Sequence, residues 1–294
     1  MYNQIDSNKR KTVFLIAIFI AIILAIGYFL GYYLQYGNGM VVIALIISLL
    51  MTTVSYYSGD KIALASTGAK KITMADNPCV YRLVENLAIT AGTPVPKVYL
   101  INSPALNAFA TGRDPQHASI ALTTGIIEAL KNEELEGVIA HELSHIKNYD
   151  IRVMMIVVVL VGAIALISDM FFRARILGGK RDNDKGGGQL GTIIMLVGIA
   201  LVILSPIIAE LIKLAISRKR EYLADASGAL LTRYPEGLAR ALEKISQSST
   251  PLAHASSATA HLFIANPFKS KSFTSLFSTH PPIKDRINKL RAMI

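Results

Sequence analysis

Two histidines and a glutamate near the middle of the chain have a spacing typical of metal-dependent hydrolases. Residues 141–145 read His-Glu-Leu-Ser-His, within a run whose apolar residues recur at helical spacing. Side chains four residues apart lie on the same face of a helix, so His141 and His145 can offer two imidazoles to one metal ion. Glu142 is placed to act as a general base on an attacking water. This H-E-x-x-H pattern is the signature of zinc proteases.

The alternative interpretation is a solvated helix that happens to carry two histidines. A catalytic zinc keeps three protein ligands and one open position, so the metal interpretation requires a third ligand elsewhere in the chain. In one class of H-E-x-x-H enzymes that ligand follows six residues after the second histidine. The corresponding position here is Ile151, which excludes that class.

Glu221 is the best candidate for the third ligand. Asp225 follows four residues later, on the same helical face. There it can accept a hydrogen bond from the free ring nitrogen of His141 or His145, which would fix the imidazole tautomer. The alternative is an ordinary ion-pair ladder of Arg218, Glu221 and Asp225. An H-E-x-x-H helix in the same chain favours the metal interpretation, with Arg218 and Asp225 as supporting residues.

The composition indicates a membrane protein with a water-exposed part. Of 294 residues, 52% are hydrophobic and 17% are charged, and the mean hydropathy is +0.44. The net charge of +10 suits contact with anionic lipid. Nucleic acid is not favoured as a partner, because no nucleic-acid-binding motif is present. The single cysteine, Cys79, excludes an intrachain disulfide and is expected to be a small core residue.

Four apolar runs are each long enough to span a bilayer: residues 12–33, 40–57, 153–172 and 190–216. The basic Lys9-Arg10-Lys11 before the first run predicts that both outer ends of the first hairpin lie in the cytoplasm. The expected organisation is an N-terminal transmembrane hairpin (1–57), a first part of the catalytic domain (58–150), a second apolar hairpin (151–216) and a second part of the catalytic domain carrying the third ligand (217–294).

The metal interpretation constrains the topology. His141 and Glu221 can meet at one ion only if an even number of spans separates them. Two crossings, by 153–172 and 190–216, satisfy this condition, and so does none, with both runs buried in protein or at the interface. Run length favours two crossings, whereas the five basic residues of the loop 173–189 favour none.

The expected fold is a mainly α-helical membrane protein with a zincin-like α+β catalytic domain and a small β-sheet. Helical periodicity, N-cap residues and turn residues predict the soluble elements. Helices are predicted over 77–91, 125–131, 131–145, 218–232, 236–247 and 285–293, and strands over 95–101, 105–112 and 118–124.

Three segments together resemble the HtpX-type membrane zinc metalloproteases, gluzincins related to the CAAX prenyl proteases. They are the H-E-x-x-H segment, the Glu221-x-x-x-Asp225 helix and Ser278-Thr279-His280-Pro281-Pro282. The resemblance implies an endopeptidase of the bacterial inner membrane with its active site facing the cytoplasm. It also implies one zinc ion per chain and the cleavage of damaged or misfolded membrane proteins in envelope quality control.

The resemblance also implies further site residues. The strand beginning Asn107-Ala108-Phe109-Ala110 would line the substrate cleft, where an extended substrate adds by main-chain pairing. His280 would stand near the active site and donate to the oxyanion; alternatively it is a loop histidine before Pro281. The other histidines, His117, His254 and His261, are interpreted as structural or surface residues.

Three other functions are open to such a sequence. An intramembrane protease is disfavoured, because the turns before His141 carry Lys131 and several glutamates. A non-enzymatic membrane chaperone or scaffold is disfavoured by the complete ligand set and by Glu142. A CAAX-type processing protease is the nearest alternative, although a short chain with four apolar runs fits quality control better. The expected partners are unfolded or membrane-protein substrates and membrane lipid.

Overall fold

The computed structural model describes residues 2–33, 35–160, 162, 218–252, 259–267 and 281–293. The helices in these ranges are α1 (Tyr2–Tyr33), α2 (Gly39–Ser66), α3 (Pro78–Ala91), α4 (Thr124–Ala129), α5 (Asn132–Lys147), α6 (residues 150–160), α7 (Arg218–Thr232), α8 (Pro235–Gln247) and α9 (Ile283–Arg291). The strands are β1 (Lys70–Lys71), β2 (Lys97–Ile101), β3 (Ala108–Gly112) and β4 (Ala118–Thr123). The described part of the chain is therefore mainly helical with one small sheet.

Helices α1 and α2 form an antiparallel apolar hairpin. Both are long and apolar enough to cross a membrane, by length and composition. Large apolar side chains such as Phe14, Ile46 and Leu50 are exposed along them, as expected of a surface that faces lipid. The helices approach closely at Gly27, where a Cβ atom would lie 2.4 Å from the Cβ of Ala44.

Helix α2 extends beyond the predicted boundary at Tyr57 and ends at Ser66. The helix therefore continues across the predicted domain boundary at residue 58 without interruption. Its last turns bury Ala63 and Leu64 against Phe109 of the sheet. The membrane hairpin and the catalytic part thus share one continuous helix.

The second pair of predicted apolar runs lies mostly outside the described residues. The run 153–172 starts within α6, whereas 190–216 falls wholly outside the described ranges. The described part of α6 is buried: Met155, Ile156 and Leu160 pack in one cluster with Phe19 of α1. This part of α6 therefore packs against the first hairpin.

The sheet has the strand order β1-β2-β4-β3, with β2 and β4 parallel and the other pairs antiparallel. Alternate side chains of β3 and β4 enter two different clusters. Ala108 and Ile120 pack with α3 and α5, whereas Phe109 and Ala121 pack with the end of α2. Strands β3 and β4 are buried on both faces, which is why their sequences lack a clear polar alternation. The two-residue strand β1 was not predicted, because it is too short to show any period.

The predicted soluble helices are present, with small shifts at their ends. Helix α3 begins as expected: Asn77 Oδ1 accepts a hydrogen bond from the backbone N–H of Val80 at 3.1 Å, and Pro78 is the first helical residue. Cys79 is exposed, so the expectation that it is a core residue is wrong. It follows Pro78 in the first turn, on the face of α3 that does not pack against the core.

Candidate metal centre and active site

Helix α5 carries the H-E-x-x-H residues into the interior. His141, Glu142 and His145 are all buried, although the helix has a polar composition. The helix packs between the sheet and helices α7 and α8, so that nearly every residue from 134 to 146 is buried. The alternative of a solvated helix with two chance histidines is therefore wrong.

Helix α7 crosses α5 at very short range. At Gly228, a Cβ atom would lie 3.0 Å from the backbone nitrogen of His141, closer than most side chains tolerate. The absence of a side chain here permits the close crossing, which brings the buried Glu221 and Asp225 beside the two histidines. Both carboxylates lie on the α7 face that was predicted from their four-residue spacing.

Three donor groups converge on one point. His141 Nε2 lies 3.2 Å from His145 Nε2 and 3.9 Å from Glu221 Oε2, and His145 Nε2 lies 3.5 Å from Glu221 Oε1. These three residues form a buried group whose ligand atoms all lie within 4.8 Å of one another. Ligands placed tetrahedrally around zinc are about 3.3 Å apart, so these separations fit a single ion.

Each imidazole turns its other nitrogen towards a carboxylate. His141 Nδ1 lies 2.9 Å from Asp225 Oδ1, and His145 Nδ1 lies 3.0 Å from Asp150 Oδ2. With both Nδ1 atoms facing carboxylates, both Nε2 atoms are directed at the same point. Two facing lone pairs beside a carboxylate form a stable arrangement only with a cation or a proton between them, so the residues fit a metal.

Two buried arginines hold the supporting carboxylates. Arg286 donates to Asp225 through Nε at 2.8 Å and through Nη2 at 2.7 Å, and Arg220 Nη1 donates to Asp150 Oδ1 at 3.1 Å. Arg286 also lies 3.7 Å from Glu221 Oε2 and is wholly buried. Sequence reasoning identified Asp225 as a partner of His141 or His145, but it did not identify Asp150, Arg220 or Arg286.

Burial and these charges set the pKa values of the metal-free site. Burial lowers the pKa of His141, and the opposing effect of Asp225 does not restore it. Burial also disfavours a charged His145, but the hydrogen bond that its Nδ1–H donates to Asp150 and the charge of Glu221 outweigh this effect and raise the pKa of His145 to about 9. Burial would raise the pKa of Asp225, but Arg286 holds it at about 2. Without a metal, His145 is therefore the imidazole that is protonated, and His141 is neutral.

Glu142 lies in the same buried region beside strand β3. Burial raises the pKa of its carboxyl group to about 7, and the charge of Glu221 acts in the same direction. The backbone N–H of Ala110 donates a hydrogen bond to the Glu142 carboxylate, which opposes this shift. A carboxylate with a pKa near neutrality can both accept and return a proton at physiological pH.

The predicted substrate strand lies next to this carboxylate. Strand β3 is the last strand of the sheet, and Asn107 O accepts a hydrogen bond from Thr123 N on the β4 side. The backbone groups of Ala108 and Ala110 therefore point away from β4. The carbonyl of Ala108 accepts from Ile264 N, whereas Ala110 faces Glu142.

The Asn107 and Phe109 side chains have structural contacts. Asn107 Nδ2 donates to the carbonyl of Ala265 at 3.0 Å, and the Phe109 ring packs edge-to-face against Phe263. Both side chains are buried.

The other residues singled out in the sequence have varied positions. Arg218 is exposed at the start of α7, whereas Arg220 is buried. His117 is exposed and hydrogen-bonded to Asp114, and His261 is buried with its Nε2 atom 3.2 Å from Met154 O. Both have the structural or surface roles that were expected of them. His254 and His280 lie outside the described residues.

A family model described as peptidase family M48 matches residues 74–294, a range that contains the three converging ligand residues, Glu142 and the carboxylates and arginines around them. The chain belongs to peptidase family M48. This M48 peptidase is 46% identical over 293 residues to the "Protease HtpX homolog" of Tropheryma whipplei (strain Twist), covering 100% of this chain and 98% of that relative. A protein of the same description from Streptococcus uberis is 46% identical over 297 residues, with both chains covered completely.

The fold of this M48 peptidase is also similar to a solved structure described as the crystal structure of S. mikatae Ste24p. The TM-score is 0.51 at 19% identity, covering 99% of this chain and 67% of that one. This likeness concerns the fold alone. Family and relatives confirm the predicted HtpX-type resemblance, and the chain is a membrane metalloprotease.

Proposed function

We propose that this chain is a zinc-dependent endopeptidase, with one zinc per chain held by His141, His145 and Glu221 and with Glu142 as general base. The observation that carries the proposal is the buried convergence of these three donor groups within 4.8 Å of one another. Two imidazoles and one carboxylate are a common ligand set of catalytic zinc, with a fourth position left open. When bound, zinc supplies Lewis-acid chemistry that makes water nucleophilic at neutral pH.

The residues around this centre act as the general base and as supports of the metal ligands. Glu142 takes the proton from the attacking water and later delivers it to the leaving amine, a role supported by its pKa near 7. Asp225 and Asp150 keep the two imidazoles in the tautomer that exposes Nε2. Arg286 and Arg220 hold those two carboxylates in their orientation through hydrogen bonds.

The peptide substrate binds in extended form along β3. Two observations support this placement. After Ala108, the backbone groups of β3 that point away from β4 can pair with a substrate, and the strand lies beside Glu142. Asn107, Ala108 and Phe109 fix the strand through their buried contacts, and Ala110 contacts the general base Glu142.

His280 donates to the oxyanion. Its test is His280→Ala, for which we expect a lower kcat with unchanged zinc content.

The active site faces the cytoplasm of a bacterial inner membrane, and the protein crosses that membrane several times. The contact between Asn8 of α1 and Asp150 supports this orientation, because it puts the N-terminus and the site on the same side. The adjacent Lys9-Arg10-Lys11 favours the cytoplasmic side. A site so close to the membrane suits substrates that are unfolded or misfolded membrane proteins, in envelope quality control. CAAX-type processing is the alternative substrate class.

The test uses the purified full-length chain, its zinc content and its cleavage of unfolded casein. Glu142→Gln is expected to retain one zinc per chain and to lose cleavage by more than about 100-fold, since a general base contributes roughly that factor. Glu221→Ala is expected to lose zinc. Cleavage by Glu142→Gln at the wild-type rate would refute the assignment. A non-enzymatic scaffold would show no zinc-dependent cleavage even in the wild type.

A further inference from the structure

The first membrane helix contacts the environment of the metal ligands through one buried side chain. Asn8, in α1, is 1% exposed, and its Nδ2 donates to Asp150 Oδ1 at 2.7 Å and to Asn148 O at 2.8 Å. These contacts connect residues that are 140 and 142 positions apart. An amide nitrogen has two protons, so both donors of the Asn8 side chain are used.

Asp150 connects Asn8 to a predicted metal ligand. Its Oδ1 accepts from Asn8 and from Arg220 Nη1, whereas its Oδ2 lies 3.0 Å from His145 Nδ1. A carboxylate whose one oxygen is held by two donors cannot rotate without breaking them. The orientation of Oδ2, and with it the plane of the His145 ring, therefore depends on the donors at Oδ1.

We infer that Asn8 is a positioning residue of the metal centre, which makes α1 part of the active site as well as a membrane anchor. The inference rests on the proposed function, since His145 must be a metal ligand for its ring orientation to matter. It predicts that the correct docking of α1 contributes to metal affinity. The partner of this interaction is a segment of the same chain, far from the H-E-x-x-H helix in sequence.

A purely structural role makes a different prediction. Asn8 is followed one turn later by Thr12, which is also buried but whose hydroxyl donates to the backbone of its own helix, at Asn8 O. If Asn8 served only to dock α1, both residues would matter for folding and neither for the metal. Thr12→Val is therefore the matched control, because it removes a buried hydrogen bond from the same helix without touching Asp150.

The experiment compares full-length wild type, Asn8→Leu, Asn8→Ala and Thr12→Val. Zinc affinity is measured by competition with a chromophoric chelator, and the melting temperature is measured with and without zinc. We expect Asn8→Leu to lower zinc affinity by about three- to tenfold, less than the 10–100-fold typical of a direct partner of a ligand. The increase in Tm caused by zinc should shrink in parallel. Thr12→Val should keep the wild-type zinc affinity.

A second comparison separates coupling from general destabilisation. In an Asp150→Asn background, Asn8→Leu should lower zinc affinity no further, because its effect passes through Asp150. If Asn8→Leu fails to fold, Asn8→Ala carries the same test with a smaller change in shape. Equal zinc affinity of wild type and the folded Asn8 variant would overturn the positioning role while leaving the proposed function intact. A wild-type chain without stoichiometric zinc would overturn both.

Discussion

The guanidinium group of Arg286 clamps the carboxylate of Asp225 with two hydrogen bonds, at 2.7 and 2.8 Å, from 61 residues away in the sequence. It is the largest fully buried side chain among the described residues. Its charge balances a site that contains two carboxylates, Glu221 and Asp225, with Glu142 close by. Helix α9, at the end of the chain, thereby completes a centre whose metal ligands lie on α5 and α7.

Replacing Arg286 should damage both folding and metal binding. Arg286→Leu leaves Asp225 as a buried charge without its clamp, a kind of change that costs about 3–5 kcal/mol. Arg286→Lys keeps the charge but cannot reproduce the two-pronged contact, so zinc affinity should fall by about tenfold or more. Chemical denaturation and chelator competition measure the two effects. Arg291→Lys is the control, since Arg291 lies on the same helix and its ion pairs with Glu236 and Glu243 are exposed. Equal effects of the two lysine variants would contradict this role.

The supporting carboxylates should matter nearly as much as the ligands. Asp150→Asn and Asp225→Asn each preserve shape and remove the charge that orients one imidazole. Each should lower zinc affinity by about 10–100-fold without abolishing binding, the range typical for such partners. Asp114→Asn is the control, because Asp114 pairs with the exposed His117 away from the site. A variant of Asp150 with wild-type zinc affinity would show that His145 is oriented by other contacts.

The sequence predicted the parts of this site that depend on local spacing. His141, His145, Glu221 and Asp225 were found because a four-residue spacing puts side chains on one helical face wherever the helix lies. The same reasoning suggested Arg218 as a supporting residue, and the structure has Arg220 buried in that role instead. Helical spacing shows which residues share a face, but it does not show which arginine of that helix will contact a carboxylate on another helix.

The missed residues acquire their contacts where separate helices meet, and Asp150, although only five residues from His145, belongs to the next helix. Arg286, Asp150 and Asn8 acquire their roles only when α9, α6 and α1 pack around α5, and no periodicity marks such contacts in advance. The full length of α2 was not predicted, for a related reason. The apolar run stops near Tyr57, but the helix continues to Ser66 because it packs against the sheet. Hydropathy locates the lipid boundary and not the end of a helix.

Zinc binding should be coupled to proton release. In the metal-free protein the pKa of His145 is raised to about 9, so this residue is protonated at pH 8, whereas Glu142, with a pKa of about 7, is already ionised. A metal must displace that proton, so zinc binding at pH 8 should release about one proton. Below pH 8 the zinc affinity should fall by about tenfold for each pH unit. Titration calorimetry in two buffers of different ionisation enthalpy measures the proton count. Affinity that is constant from pH 6 to 8 would contradict the assignment.

The raised pKa of His145 also predicts how the stability of the metal-free protein depends on pH. The pKa of His145 is higher in the folded state than its ordinary value of 6.5, so the folded state binds the extra proton between these values. This stabilising contribution is fully present below about pH 6.5 and is lost as the pH rises through about 9. Denaturant unfolding of the metal-free chain at pH 6.5 and 9 measures it. In His145→Gln this loss of stability on raising the pH should be much smaller, because only the lesser contribution of Glu142, whose pKa is raised to about 7, remains.

The crossing of α5 and α7 at Gly228 should tolerate no side chain. A Cβ atom there would lie 3.0 Å from His141 N and 3.2 Å from the carbonyl carbon of Ala140, which are backbone atoms that cannot turn aside. Gly228→Ala should therefore destabilise the fold by about 1–3 kcal/mol and lower zinc affinity, because α7 carries Glu221 away from the histidines as it moves. Gly39→Ala is the control, since a Cβ atom there meets nothing within 4 Å. Denaturant unfolding and chelator competition measure both effects. If Gly228→Ala is destabilised but keeps the wild-type zinc affinity, the distance between α5 and α7 does not control the position of Glu221, and this prediction is wrong.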